Sequence, residues 1–296
     1  MIYAFIEKHK NDYGIAMMCK VLMVSKSGYY DWRKKQIQPL SEKEVRDTEI
    51  AHQIHRSYAR SFGTYGSPRI AQDLASLGYD CSQKKIANMM RNLGLSAIIP
   101  KTVQRTTDSN HHQFIYPNLV KRQFQVKEKN KVWVADITYI RTLEGWVYLA
   151  SIMDLYSRKI VGWAIADHME ETLVDQALKH ALAVRKPEKG LVHHSDRGAQ
   201  YCATSYTRTL KEHGIKISMS RKGDPYDNAC IESFHATIKK EWIYRHRFES
   251  KKEARKSVES YIVNFYNERR RHSTIGYLSP NQFERNQQDS VCQNAS

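Results

Sequence analysis

The sequence predicts an α/β fold, a β-sheet layered with helices, placed after an all-α N-terminal region. From Lys131 onward, β-rich runs alternate with stretches of helical period in the order strand, strand, strand, helix, strand, helix, strand, helix. Residues 1–97 hold no such runs and read as helices separated by caps and glycines. Between the two, residues 98–128 lose periodicity and gain Thr, Asn, Gln and basic residues, as a linker or arm does.

In chain order, Ile15–Leu22 is a short apolar helix, and Met23–Gly28 turns into Tyr29–Lys35, a second helix opened by a serine cap and basic at its end. Two short helices around a tight turn resemble a helix-turn-helix, although many helical hairpins share the pattern. After Pro39, Ser41-Glu42-Lys43-Glu44 has the start of a capping box, and the helix it opens runs through Ile50, Ile54 and Tyr58. The turn Phe62–Pro68 leads to a helix over Pro68–Leu77 stopped by Gly78. Ser82 then caps a helix carrying Ile86, Met89, Met90 and Leu93, stopped by Gly94. Lys84, Lys85 and Arg91 on this last helix are candidate DNA contacts; the alternative is a small bundle that only packs on its neighbour.

In the second half, strands are expected at Val132–Ile140, Gly145–Asp154, Lys159–Ala166, Gly190–Asp196 and Ile215–Ser220. Helices are expected at Thr172–Val184 and Thr204–His213, from Asn228 to about Tyr244, and at Lys252–Glu268. Trp133, Trp146 and Trp163 fall within strands and are expected in the core. The segments are 1–38, a helix-turn-helix-like piece; 41–97, a helical DNA-binding-like module; 98–128, a basic linker; and 129–290, the α/β domain with its C-terminal helix.

Composition narrows the class. Hydrophobic residues are 41% and charged residues 26%, as in ordinary globular proteins. No run of eighteen apolar residues is present, and the N-terminus turns charged too soon for a signal peptide, so no membrane and a cytoplasmic location are expected. The five cysteines are scattered and form no CxxC pair, which leaves His111-His112 without partners for a zinc site. The net charge of +16 divides into +9 over 1–125 (19 basic, 10 acidic) and +7 over 126–296 (28 basic, 21 acidic). An excess spread over both halves suits an extended polyanion lying across the protein; the plain alternative is a solvated basic surface.

Three acids stand out. Asp136 lies inside a hydrophobic strand, where a carboxylate is costly unless something positive meets it. Asp196 sits at a strand end, and Glu232 in the first turns of a helix. Fifty-nine residues separate Asp136 from Asp196, and thirty-five separate Asp196 from Glu232. Each acid alone has a structural explanation, as an edge residue, a turn opener or a solvated helix position.

This order and spacing resemble the retroviral integrase and bacterial transposase superfamily. The runs Trp133–Tyr139, His194–Tyr201, Asp227–Phe234 and Tyr266–Pro280 resemble the second-frame (OrfB-type) protein of the IS3 family of insertion sequences. The resemblance implies an RNase H-like integrase catalytic core: a five-stranded mixed sheet with flanking helices. It implies a DDE transposase, with Asp136, Asp196 and Glu232 as catalytic metal ligands for two Mg²⁺ or Mn²⁺ ions, Asp136 bridging both. The activity implied is cleavage and strand transfer on double-stranded DNA, at the element's ends and into a target. Its partners would be further copies in the DNA complex and a possible upstream-frame protein, and it would be nucleoid-associated when bound to DNA. Hard cations take carboxylate oxygens, and two ions roughly 3.5–4 Å apart can activate the nucleophile and stabilise the leaving oxygen.

Lys239 and His235 lie seven and three residues beyond Glu232 and are candidate phosphate contacts, against a solvated lysine for the first. Arg197, with His193 and His194 beside Asp196, either meets substrate or makes local turn contacts; Tyr226 and Asn228 are expected to shape the helix entry. The basic end Arg269–His272 has DNA or a neighbouring subunit as its expected target. Two other readings share these features. A catalytically inactive, transposase-derived DNA-binding regulator would not need all three acids, and a simple ribonuclease H would not need the helical modules.

Overall fold

The computed structural model describes residues 1–37, 41–98, 114–221 and 224–294. Residues 99–113 of the expected basic linker, with His111 and His112, lie outside the described residues, as do Lys222 and Gly223. The chain divides into two compact units, Met1–Arg56 and Ser57–Ser296.

The first unit holds α1 (Ile2–Lys8), α2 (Ile15–Val21), α3 (Lys26–Ile37) and most of α4 (Glu42–Arg60). Ile6, Met18, Cys19 and Tyr29 bury one another, with Tyr3 and Trp32 packed against them. The turn between α2 and α3 puts Met23 at a φ of 52°, and Ser25 Oγ accepts the Gly28 N–H at 2.9 Å, the expected serine cap. The capping box of α4 also forms: Ser41 Oγ accepts the Glu44 N–H while the Glu44 carboxylate accepts the Ser41 N–H.

The second unit begins with α5 (Ser67–Ser76) and α6 (Gln83–Asn92), which end at the left-handed glycines Gly78 and Gly94. Then come β1 (Val132–Thr142), β2 (Gly145–Asp154), β3 (Ile160–Ala166), α7 (Glu171–Arg185), β4 (Val192–Ser195), α8 (Ala199–Cys202), α9 (Thr204–Glu212) and β5 (Lys216–Met219). A 3-10 turn, Pro225–Asn228, leads into α10 (Ala229–Glu241), followed by α11 (Lys251–Ser260) and α12 (Pro280–Asn294). The sheet has the order β3-β2-β1-β4-β5. β1 pairs antiparallel with β2 and β2 with β3, whereas β1, β4 and β5 run parallel, so the five-stranded sheet is mixed.

α7 buries Leu173, Val174, Ala177, Leu178, Ala181 and Leu182, a stripe at helical spacing, in a core shared with Trp133, Ala135, Ala150 and Ile152 of the sheet and with α9. Gly162 on β3 lets α7 close in: a Cβ there would stand 2.7 Å from the Ala181 Cβ and nearer still to the Ala177 carbonyl. Because side chains alternate along a strand, Asp136 and its β2 partner Ser151 point to the opposite face, where α10 lies. Asn267 clamps that layer to the sheet, its amide exchanging bonds of 3.0 and 2.9 Å with the Ile160 backbone.

Three expectations change, Trp163 being half-buried on β3 rather than in the core. Trp146 is 45% exposed rather than in the core, because it is the second residue of β2 beside the tight Leu143-Glu144 turn, where its ring meets Tyr139 edge to face and Arg141 lies over it. The helix expected over Lys252–Glu268 is α-helical only to Ser260 and continues as a π-helix over Tyr261–Asn267, which adds a residue per turn and brings Asn267 to β3. Among the described residues no helix is long and apolar enough to cross a membrane.

Candidate active site

The site is built where β4 ends beside the longer, parallel β1. The last β1–β4 pair is Ala135 opposite Ser195, so Asp136, still within β1 and paired with Ser151 of β2, comes just past the level at which the chain leaves β4 for Asp196. β4 stops there and β1 continues for six more residues through Thr142, so Asp136 sits at an opening beside the shorter strand. Its side chain is 19% exposed. Oδ1 accepts the Ile137 backbone N–H at 2.8 Å and Oδ2 lies 3.1 Å from Nδ1 of His235. The turn after Asp196 folds back on it: Oδ1 accepts the Gly198 N–H at 2.9 Å, and a Cβ on Gly198 would press that oxygen at 3.0 Å.

α10 is tied to the sheet at its first residues. Asn228 Nδ2 donates to the Ala135 carbonyl at 3.0 Å, one residue from Asp136. Just ahead, the fully buried Asp227 is bound by Arg221, Arg122 and Asn118. The Arg221 guanidinium, with help from Arg122, outweighs burial and holds the Asp227 carboxyl well below the usual carboxylate range. The chain before β1 is thereby fastened to the loop that carries α10. Glu232 follows one turn after Asn228, on the helix face that also carries His235 and Lys239, and is exposed.

His235 is 6% exposed and its ring lies between two side chains, Nδ1 toward Asp136 and Nε2 2.6 Å from Ser151 Oγ. With Nδ1 protonated, the ring donates to Asp136 and accepts from the Ser151 hydroxyl, the tautomer the network favours. Serine, histidine and aspartate in this order suggest nucleophilic catalysis, but Ser151 is 0% exposed in mid-strand, where no substrate reaches it. Lys239 is 7% exposed, with its ammonium 4.0 Å from the centroid of the Tyr139 ring. Burial lowers its pKa, opposed by the nearby Asp136 charge. The two expected phosphate contacts thus lie inside the protein, turned toward Asp136 and Tyr139.

Among the described residues no three His, Cys, Asp or Glu side chains are gathered closely enough to hold a metal ion. The donor chemistry nonetheless fits a hard divalent cation: Asp136 and Asp196 follow paired positions of neighbouring strands and both offer carboxylate oxygens. A further sign is Tyr201, buried beside them, whose hydroxyl has no partner. Burial raises its pKa well above the usual value, and the charges of Tyr206, Asp136 and Asp196 raise it further, which puts both aspartates within electrostatic reach of one orphaned O–H.

The other expected residues are placed as follows. Arg197 donates through Nε to the Ser220 carbonyl at 2.7 Å, joining the ends of β4 and β5. His193 is bonded to Tyr206 and His194 to Ser218 and Ser220; burial pushes their pKa values down to about 3 and about 4, so both rings are neutral and structural. On α6, Lys84 and Arg91 are exposed and Lys85 half-buried, while Ile86 and Met90 face inward. Of the basic run 269–272, for which DNA or a neighbour was expected, Arg269 is exposed while Arg270, Arg271 and His272 turn inward. Arg270 is bidentate to Glu241 at 2.7 and 2.8 Å, and Arg271 pairs with Asp73 of α5 while its backbone N–H meets the Tyr65 hydroxyl. Sequence reasoning missed Ser151, Tyr201 and Asp227 as parts of the site; a serine opposite Asp136 and an acid ahead of α10 signal their roles only once strand register is known.

The mixed sheet, with one aspartate within β1, a second just past the end of its parallel neighbour β4 and helices on both faces, defines an integrase-core protein. Models described as Integrase core domain match residues 126–225 and 213–280, and one described as HTH-like domain matches residues 44–102. The Escherichia coli protein named "Transposase InsF for insertion sequence IS3A" is 39% identical over 284 residues, 96% of this chain and 98% of its own length. The Shigella sonnei protein named "Insertion element IS600 uncharacterized 31 kDa protein" is 42% identical over 266 residues, 90% of this chain and 97% of its own. The chain belongs to the IS3 family of insertion-sequence transposases. Among solved structures, the magnesium complex of the HTLV-2 integrase catalytic core domain covers 52% of this chain and 96% of its own, at a TM-score of 0.40 and 14% identity.

Proposed function

We propose that this chain is a metal-dependent polynucleotidyl transferase that cuts DNA at the ends of an insertion sequence and joins the freed 3′ ends to target DNA. The observation that carries the reading is Asp136 within β1 next to Asp196 at the end of the parallel β4, with α10 and its Glu232 fastened beside them through the Asn228 bond to Ala135. Asp136, Asp196 and Glu232 are the ligands we assign. Mg²⁺ or Mn²⁺ ions held by them would supply Lewis-acid activation of the attacking oxygen and charge stabilisation at the leaving one. The chain's own part is to fix two ligands on strands and one on a helix, and to bring DNA to them.

The +16 charge shared by both halves of the chain supplies the affinity for a long polyanion. Lys84 and Arg91 on the outer face of α6, with Lys85 beside them, are the DNA contacts the surface favours. His235 and Lys239 act from behind Asp136, and Arg197 acts beside Asp196 where it joins β4 to β5, together shaping the floor on which phosphate lies. Further copies of the chain and an upstream-frame protein complete the assembly that holds two element ends.

The test uses purified protein and duplexes carrying the element's terminal repeats. Cleavage and strand transfer are expected with Mg²⁺ or Mn²⁺ and not with a chelator. Asp136→Ala, Asp196→Ala and Glu232→Ala are expected to lose both reactions while keeping DNA binding. A fully active Glu232→Ala protein contradicts the assignment.

A further inference from the structure

We infer that His235, held by Ser151, is a positioning residue that fixes the orientation of the Asp136 carboxylate for its cation. The inference rests on the proposed function. Asp136 on β1 and Ser151 on β2 are direct cross-strand partners, with side chains on the same face of the sheet. Both reach one imidazole, Ser151 Oγ at 2.6 Å from Nε2 and Asp136 Oδ2 at 3.1 Å from Nδ1. The ring comes from α10, the helix that carries Glu232, and is sealed from solvent, so it cannot turn away without leaving buried polar atoms unpaired.

The consequence falls on the carboxylate. One Asp136 oxygen is held by the Ile137 N–H at 2.8 Å and the other by the ring, so each oxygen has one fixed donor and keeps lone pairs for a cation. A freely rotating aspartate would lose entropy on binding an ion; this one is ordered beforehand. The same bridge ties α10 to the β1–β2 pair at the level of the site, so the imidazole also fixes the helix from which Glu232 projects. Partners of this kind around metal ligands are worth about 10–100-fold in metal affinity or activity.

Three substitutions separate the parts. In His235→Asn the side-chain amide nitrogen takes the place of Nδ1 and keeps the donor to Asp136. His235→Phe keeps bulk and loses both bonds, and Ser151→Ala releases only the far side of the ring. The probe is Mn²⁺ alone, read by the rise in thermal midpoint it gives the full chain. In parallel, the Mn²⁺ concentration for half-maximal nicking of plasmid DNA is separated from the maximal rate. His235→Phe is expected to need about 10–100-fold more Mn²⁺ in both readouts. His235→Asn is expected to stay near wild type, with Ser151→Ala between them. A role in packing alone would lower the metal-free midpoint and leave the Mn²⁺ dependence where it was. If His235→Phe does not fold, His235→Asn and Ser151→Ala still decide: a His235→Asn protein far worse than Ser151→Ala overturns the inference. If wild type responds to Mn²⁺, Asp136→Ala does not, and His235→Phe responds at the wild-type concentration, the inference falls alone. If neither wild type nor Asp136→Ala responds, the proposed function falls and takes the inference with it.

Discussion

Replacing Arg270 with methionine discriminates between an internal and an external use of the basic run at 269–272. Its side chain is 7% exposed and that of Glu241 11%, and the two are joined by a bidentate pair that also receives the Tyr261 hydroxyl at 2.9 Å. Burial disfavours the guanidinium, but the Glu241 bonds and charge more than offset it and raise the Arg270 pKa. Methionine fills much of the space and leaves a buried carboxylate with one donor. Breaking a buried pair from one side costs about 3–5 kcal/mol, and at ~2–4 °C per kcal/mol for a unit of this size the thermal midpoint falls by roughly 6–20 °C. Adding Glu241→Gln should recover a large part of the loss, because it removes the stranded charge. The assay is thermal unfolding followed by circular dichroism, with DNA affinity measured at a fixed salt concentration. An Arg270→Met protein that melts like wild type but binds DNA about tenfold more weakly would refute the internal assignment.

Two further predictions follow from the core. Burial lowers the pKa values of His193 to about 3 and His194 to about 4 from 6.5, so the unfolded chain binds more protons than the folded one below about pH 6.5. Stability is therefore whole above that pH, is lost as pH falls through this window, and stops changing on their account once both folded rings protonate; denaturant midpoints taken from pH 7.5 to 4 check this. His193→Gln should flatten the slope, and a flat wild-type profile would exclude the account. Gly162→Ala drives a methyl into Ala181 and the Ala177 carbonyl, and should cost about 1–3 kcal/mol by chemical denaturation, with DNA affinity unchanged.

Much of the fold was legible because local signals agreed with the packing. Every expected strand formed, and Ser25, Ser41 and Ser82 cap helices where their positions suggested. The alternation of the second half gave the sheet its elements, although its mixed pairing came only through family resemblance. Non-local effects escaped. A π-helical stretch brings Asn267 to β3, and Trp146 is exposed by its nearness to a two-residue turn; neither follows from hydropathy. Charge was the most misleading signal. Arg270 and Arg271 look like a DNA-facing run until Glu241 and Asp73, distant in sequence, are seen to neutralise them. The converse holds for Ser151, an unremarkable strand serine whose importance comes from facing Asp136 across the β1–β2 ladder.

Asp136, Asp196 and Glu232 must act together as one cation site, of which Glu232 is the most exposed member. The direct measurement is single-turnover cleavage of an element-end duplex by Glu232→Gln and wild type at matched DNA occupancy across a Mn²⁺ titration. We predict equal binding and no cleavage above background for Glu232→Gln at any metal concentration. Cleavage at the wild-type rate and the wild-type Mn²⁺ midpoint would contradict it.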